Sequence, residues 1–130
     1  MFLKTGCINL HCSKSTKKTN YLKGLAAEYW SIAFLWAKGY RILRRRYKCK
    51  QGEVDIVCKK RRTVVFVEVK YRSTPYQALF AVDKQKYNRI QKAALYFIKA
   101  NPQYHNCDLR VDVVVIGRYF STSHQKNVIL

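Results

Sequence analysis

Three acidic residues and a lysine fall on two short Val-rich stretches, Gly52-Glu53-Val54-Asp55-Ile56-Val57 and Val64-Val65-Phe66-Val67-Glu68-Val69-Lys70. Acids are scarce in this chain. There are seven Asp and Glu against 26 Lys and Arg, and Glu53, Asp55 and Glu68 are three of the seven. Carboxylates brought close together repel unless a proton, a cationic side chain or a metal ion intervenes. A site built from a few carboxylate oxygens suits Mg²⁺ or Mn²⁺ better than zinc. The plainer reading is a strand end facing water, with Glu68 and Lys70 an ordinary exposed ion pair.

What could bring the acids together is a hairpin. Both stretches have the Val and Ile content of strands. Alternation puts Glu68 and Lys70 on one face with Val64 and Phe66, and Asp55 on a face with Glu53 and Val57. Residues 59–63 are polar and charged, as a hairpin tip should be. A two-residue turn at Arg61-Arg62 pairs Lys60 with Thr63 and sets Asp55 opposite Glu68, about 5 Å apart at Cβ. Such turns favour Asn-Gly or other Gly-containing pairs. A longer loop, or a one-residue slip that separates the acids, therefore stays open.

Other elements must flank this hairpin. Residues 21–38 read as a helix with a broad apolar face, ended by Gly39. Glu28 stands on it among Gly24, Leu25, Ile32 and Leu35, where a carboxylate either reaches the rim or serves a site. Residues 40–48 read as a strand. It and the next residues carry Arg41, Arg44, Arg45, Arg46, Lys48 and Lys50, interleaved with Tyr40 and Tyr47. That pattern suits an edge that tracks phosphates, and equally a solvated edge protected by its own charge. Tyr71-Arg72-Ser73-Thr74-Pro75 reads as a loop. A second helix, about residues 83–100, has Lys84, Lys86, Arg89 and Lys92 as its basic side and ends at Asn101-Pro102. Residues 109–116 form a Val-rich buried strand with Asp112 inside it, and 124–130 a short edge strand. The order α-β-β-β-α-β predicts an α/β sandwich, a central mixed sheet flanked by helices.

The 130 residues, 48% apolar, fit one domain with a substantial core. Residues 1–20 read as a basic, disordered tail and 21–130 as the domain. No apolar run is long enough to span a bilayer and no secretory signal is visible, so a cytoplasmic protein without a membrane partner is expected. Five Cys suggest no disulfide framework. Cys7, His11 and Cys12 lack a fourth zinc ligand nearby. The net charge of +19 points to a polyanion, most readily nucleic acid.

Taken in order, Gly24-Leu-Ala-Ala-Glu28, Gly39-Tyr-Arg-Ile-Leu43, Gly52-Glu-Val-Asp-Ile56, Phe66-Val-Glu-Val-Lys70 and Arg110-Val-Asp-Val-Val114 resemble the YraN family. These are small bacterial proteins related to archaeal Holliday-junction resolvases, within the PD-(D/E)XK, restriction-endonuclease-like superfamily. The resemblance covers about residues 22–130. It implies a restriction-endonuclease-like sandwich and Mg²⁺- or Mn²⁺-dependent cleavage of DNA. By position it makes Asp55 and Glu68 metal ligands, helped by the Val69 carbonyl. Lys70 would orient the attacking water or stabilise phosphate charge, and Glu28 would complete the site from the first helix. Lys86 becomes a phosphate contact, joined along the surface by Arg72 and Arg89. Glu53 is expected to hold a cation at the strand end, and Asp112 to serve a structural hydrogen-bonding role. Cutting both strands symmetrically would call for a two-fold homodimer. The alternative is a nucleic-acid-binding protein of nuclease-like fold with little or no turnover.

Overall fold

A computed structural model of the chain describes residues 4–73 and 82–129, with side chains from residue 17 onward. The elements are α1 (Lys4–Ala37), β1 (Arg41–Cys49), β2 (Gly52–Lys60), β3 (Thr63–Tyr71), α2 (Lys84–Ala100), β4 (Asp108–Ile116) and β5 (Thr122–Gln125). They form one mixed five-stranded sheet in the order β1-β2-β3-β4-β5. β3 and β4 run parallel, linked through α2, and the other neighbours are antiparallel. This is the expected α/β sandwich with one strand added, β5 falling slightly before residues 124–130. Positions 74 and 75 of the expected loop, and the Cys7, His11 and Cys12 side chains, lie outside what is described.

The sheet faces sort by alternation. Val65 and Val67 pack with Ala27, Leu35 and Tyr40 on the α1 side. Val64 and Phe66 pack with Ile90, Ala93 and Phe97 on the α2 side. Glu68 therefore emerges toward α2, as its spacing from Phe66 requires. α1 starts well before Tyr21, at Lys4, within the stretch expected to be a disordered tail. It stops where Gly39 adopts a φ of 87°. The Gly39 N–H bonds the Trp36 carbonyl at 2.9 Å and the Tyr40 N–H bonds the Leu35 carbonyl at 3.0 Å, a Schellman closure. α2 begins at Asp83, whose carboxylate accepts the Lys86 N–H.

Gly52 opens β2 where α2 crosses it. A Cβ there would run into the Arg89 main-chain carbonyl and come within 3.4 Å of the Ala93 methyl. Backbone cannot yield as a side-chain tip can. Gly52→Ala is expected to destabilise the fold by about 1–3 kcal/mol through overpacking, measured as a lower urea midpoint at an unchanged slope.

Candidate functional site: a carboxylate pair beside a charged cleft

The hairpin has the two-residue turn. Lys60 pairs with Thr63, and the ladder runs back to Ile56 opposite Val67. Arg61 supplies the positive φ, 54°, that glycine would usually provide. The register carried one step further sets Asp55 opposite Glu68. At that step the ladder stops. Val54 packs on the α2 side and Ile56 on the α1 side, so the alternation of β2 breaks at Asp55. The Val69 N–H, beyond the last β2 pairing, donates to Asp55 Oδ2 at 2.8 Å. The carboxylate takes the place of a ladder carbonyl and the hairpin splays around it.

Glu68 is 2% exposed. Lys70 Nζ lies 2.9 Å from its Oε1. Lys86 Nζ lies 3.5 Å from Oε2, close enough to contribute charge, yet that oxygen is buried with no hydrogen-bond donor. Lys86 also reaches Glu53 Oε1 at 3.3 Å. The Lys86 contact holds the Glu53 carboxyl below its usual range. Burial disfavours the Lys86 ammonium, but the charges of Glu68, Asp55 and Glu53 outweigh it and its pKa rises. Asp55 behaves oppositely. Burial first, and the Glu68 charge second, push its carboxyl up to about 7 against the opposing Val69 N–H.

Beside Asp55 opens a cleft of about 410 Å³ between α1 and the splayed strands. Asp55, Glu53, Val69, Arg46, Lys48 and Glu28 are among its lining residues. Glu28, 8% exposed, does not join the Asp55–Glu68 pair. Arg46 Nε approaches both its oxygens, at 2.9 and 3.1 Å, and Arg45 Nε lies 3.5 Å away. Among the described residues no three His, Cys, Asp or Glu are grouped to hold an ion. Glu28 therefore sits in the cleft of the expected site, but as the anchor of a guanidinium.

The other expected residues divide. Arg41, Arg44, Lys50 and Arg89 are exposed, and Arg44 bonds the Leu43 carbonyl. The Arg45 guanidinium covers the Tyr29 ring at 4.6 Å. Arg72 is half-buried and bonds the Tyr71 carbonyl. Lys86, expected to meet a phosphate, is held among carboxylates instead. Asp112 has the structural role: fully buried, it accepts from Arg110 Nε at 2.8 Å, Arg110 Nη2 at 2.9 Å and the Asn127 N–H at 2.9 Å. His124 Nε2 stands 2.8 Å from its Oδ2. His124 was missed from sequence, since a lone histidine near the end of the chain carries no local signal.

Residues 27–116 match the sequence profile of "Uncharacterised protein family UPF0102". Over 94 residues the chain is 44% identical to the "UPF0102 protein" of Rhodopseudomonas palustris strain HaA2, covering 72% of this chain and 73% of that one. A relative in Nitrobacter winogradskyi is 42% identical over 94 residues, 72% of this chain and 80% of its own. Another, from R. palustris strain BisB18, is 37% identical over 107 residues, 82% of this chain and 79% of its own. The profile match contains Glu28, Asp55, Glu68, Lys70, Lys86 and Asp112.

Proposed function

The chain belongs to the UPF0102 family, and we propose that it is a metal-dependent endonuclease of the restriction-endonuclease-like superfamily, acting on DNA phosphodiester bonds. Branched or repair intermediates are the substrates this reading favours. The observation that carries it is the Asp55–Glu68 pair: two acids opposed on neighbouring strands, one with a buried oxygen lacking a donor. Such a pair suits a hard divalent cation, which takes oxygen donors. Mg²⁺ in particular is often held by only one or two carboxylates and keeps several waters. Asp55 and Glu68 would hold it, with the Val69 carbonyl as a third donor. When bound, the ion offsets the repulsion of the acids and polarises a phosphodiester.

The remaining work falls to side chains of this chain. Lys70, fixed on Glu68 at 2.9 Å, has protons to offer a phosphate oxygen or an incoming water. Arg46 and Lys48 line the cleft wall and take neighbouring phosphates. Glu28 holds Arg46 in place, a positioning role rather than a ligand role. No described helix is long and apolar enough to cross a membrane, and this reading puts the protein in the cytoplasm, where Cys49, Cys58 and Cys107 stay reduced.

A second reading, a binding module without turnover, draws on the lysines that already face Glu68. The test incubates the full chain with labelled branched, single-stranded and duplex DNA in Mg²⁺, Mn²⁺ or EDTA. Cutting is expected with either metal, absent in EDTA, and lost in Lys70→Ala. Binding to all three DNAs with no cutting in either metal would overturn the nuclease and leave the module.

A further inference from the structure

Between β4 and β5 the chain makes a short loop with an uncommon conformation. Tyr119 and Phe120 are consecutive and both left-handed, at φ 56° and 57°. Neither has the short polar side chain that tolerates this region, so the conformation is held by its surroundings. The Gly117 N–H bonds the Ser121 carbonyl at 2.7 Å, closing the loop. Thr122 Oγ1 donates to the Phe120 carbonyl at 2.9 Å and accepts from Trp30 Nε1 at 2.8 Å. The result of this bracing is display. Tyr119 is 99% exposed and Phe120 53%, with the Trp30 ring 4.9 Å from that of Phe120.

The displayed rings border a slot of about 190 Å³, lined by Ala26, Ala27, Ile116, Tyr71 and both aromatics, with Lys23 among the lining residues. Tyr71 also lines the cleft beside Asp55. A third depression includes Lys23, Arg72 and Arg118 and shares Tyr71 with both. Tyr71 thus borders all three: the cleft beside Asp55, a depression carrying cations, and a slot walled by aromatic rings.

We propose that this loop is a stacking platform for an unpaired nucleobase, with Lys23, Arg72 and Arg118 taking the phosphates that join it to the cleft. The inference rests on the nucleic-acid part of the function proposed above. Aromatic faces bind bases through their π-faces, which a paired and stacked base does not present. The cations select a polyanion over an apolar protein surface. The substrate so read has single-stranded nucleotides next to the cleavage position: a flap, a gap or a free end.

Binding is measured by fluorescence anisotropy in EDTA, so that cutting plays no part. The probes are a labelled single strand, a fully paired duplex and a duplex with a single-stranded flap. The wild type is expected to favour the strand and the flap. Tyr119→Gly suits the left-handed backbone while removing a ring that is 99% exposed, so its folding is spared. Combined with Phe120→Ala, it is expected to lose about tenfold or more on the strand and flap, and less than about twofold on the duplex. Tyr119→Trp should keep the preference. An equal loss on duplex, or no loss with Tyr119→Gly alone and with the pair, overturns the platform. So does a wild-type dimer, seen by sedimentation, that the substitutions dissolve without changing DNA binding. A protein that shows the preference but never cuts would sink the nuclease and leave the platform standing.

Discussion

Asp55→Asn is expected to abolish metal-dependent cutting while making the metal-free protein more stable at pH 8. On the proposed reading, removing one of the two carboxylates that would hold the ion forfeits several kcal/mol of transition-state stabilisation, about 10³-fold in rate at 1.36 kcal/mol per decade. The stability gain has the opposite origin. In the fold the Asp55 carboxyl is raised from 3.8 to about 7, by burial and then by the Glu68 charge. An acid whose folded pKa is raised stabilises fully below its unfolded pKa, and that contribution is lost as pH rises through the folded one. Between about pH 4 and pH 7 the wild type therefore gives up stability on the order of 2–4 kcal/mol. Asparagine resembles the protonated acid, keeps an oxygen for the Val69 N–H, and escapes the loss. Urea unfolding in EDTA at pH 5 and pH 8 reads the difference. Saturating Mg²⁺ should raise the wild type and leave the variant unchanged. A variant that still cuts, or that is less stable than wild type at pH 8 in EDTA, would refute this assignment of Asp55.

The largest loss of stability is expected at Asp112, which pairs with Val67 across the sheet. Its carboxylate holds both donors of Arg110, the Asn127 N–H and His124. Arg110 is held in turn by the Tyr40 hydroxyl at 2.9 Å. Asp112→Ala strands those groups around a fully buried position, at a cost of about 3–5 kcal/mol. Burial alone would raise this carboxyl, but the bonds from His124, Arg110 and Asn127 prevail and lower it. Its contribution is present above the usual aspartate pKa and fades as pH falls through the depressed one. Asp112 and Asp55 thus pull in opposite directions. Metal-free wild type should be most stable at about pH 4–5, and Asp112→Ala should lack the acid arm of that profile. An Asp112→Ala protein melting within a few degrees of wild type would contradict the network.

The hairpin was legible because its information is local. Val and Ile on both strands, a charged tip and a countable register lead to Asp55 opposite Glu68 without any tertiary knowledge. The clamp on Glu28 was not legible. It depends on an irregularity in β1, a register shift between Ile42 and Arg44 and a positive φ of 50° at Arg46, that swings two guanidinium groups toward α1. Nothing in the spacing of six cations says which of them will turn inward. The carboxylate partners of Lys86 were not legible for a related reason. Its helix position was read correctly, but the acid it meets comes from β3, reached only once α2 docks. Tyr119 and Phe120 gave no signal in the sequence, because the left-handed backbone of that loop is held by closure from Gly117, Ser121 and Thr122 rather than by residue type.

The tight turn at Arg61-Arg62 also bears on the order of events during folding. Pairing β2 with β3 closes a very short loop, whereas the parallel pairing of Thr63 with Asp108 must wait for the chain between them to collapse. The pairing that leads to the two acids costs little loop-closure entropy, whereas the pairing of Asp112 with Val67 is long-range. Of the two ammonium groups beside Glu68, Lys70 is carried by the hairpin itself, and Lys86 is supplied by long-range docking of the second helix.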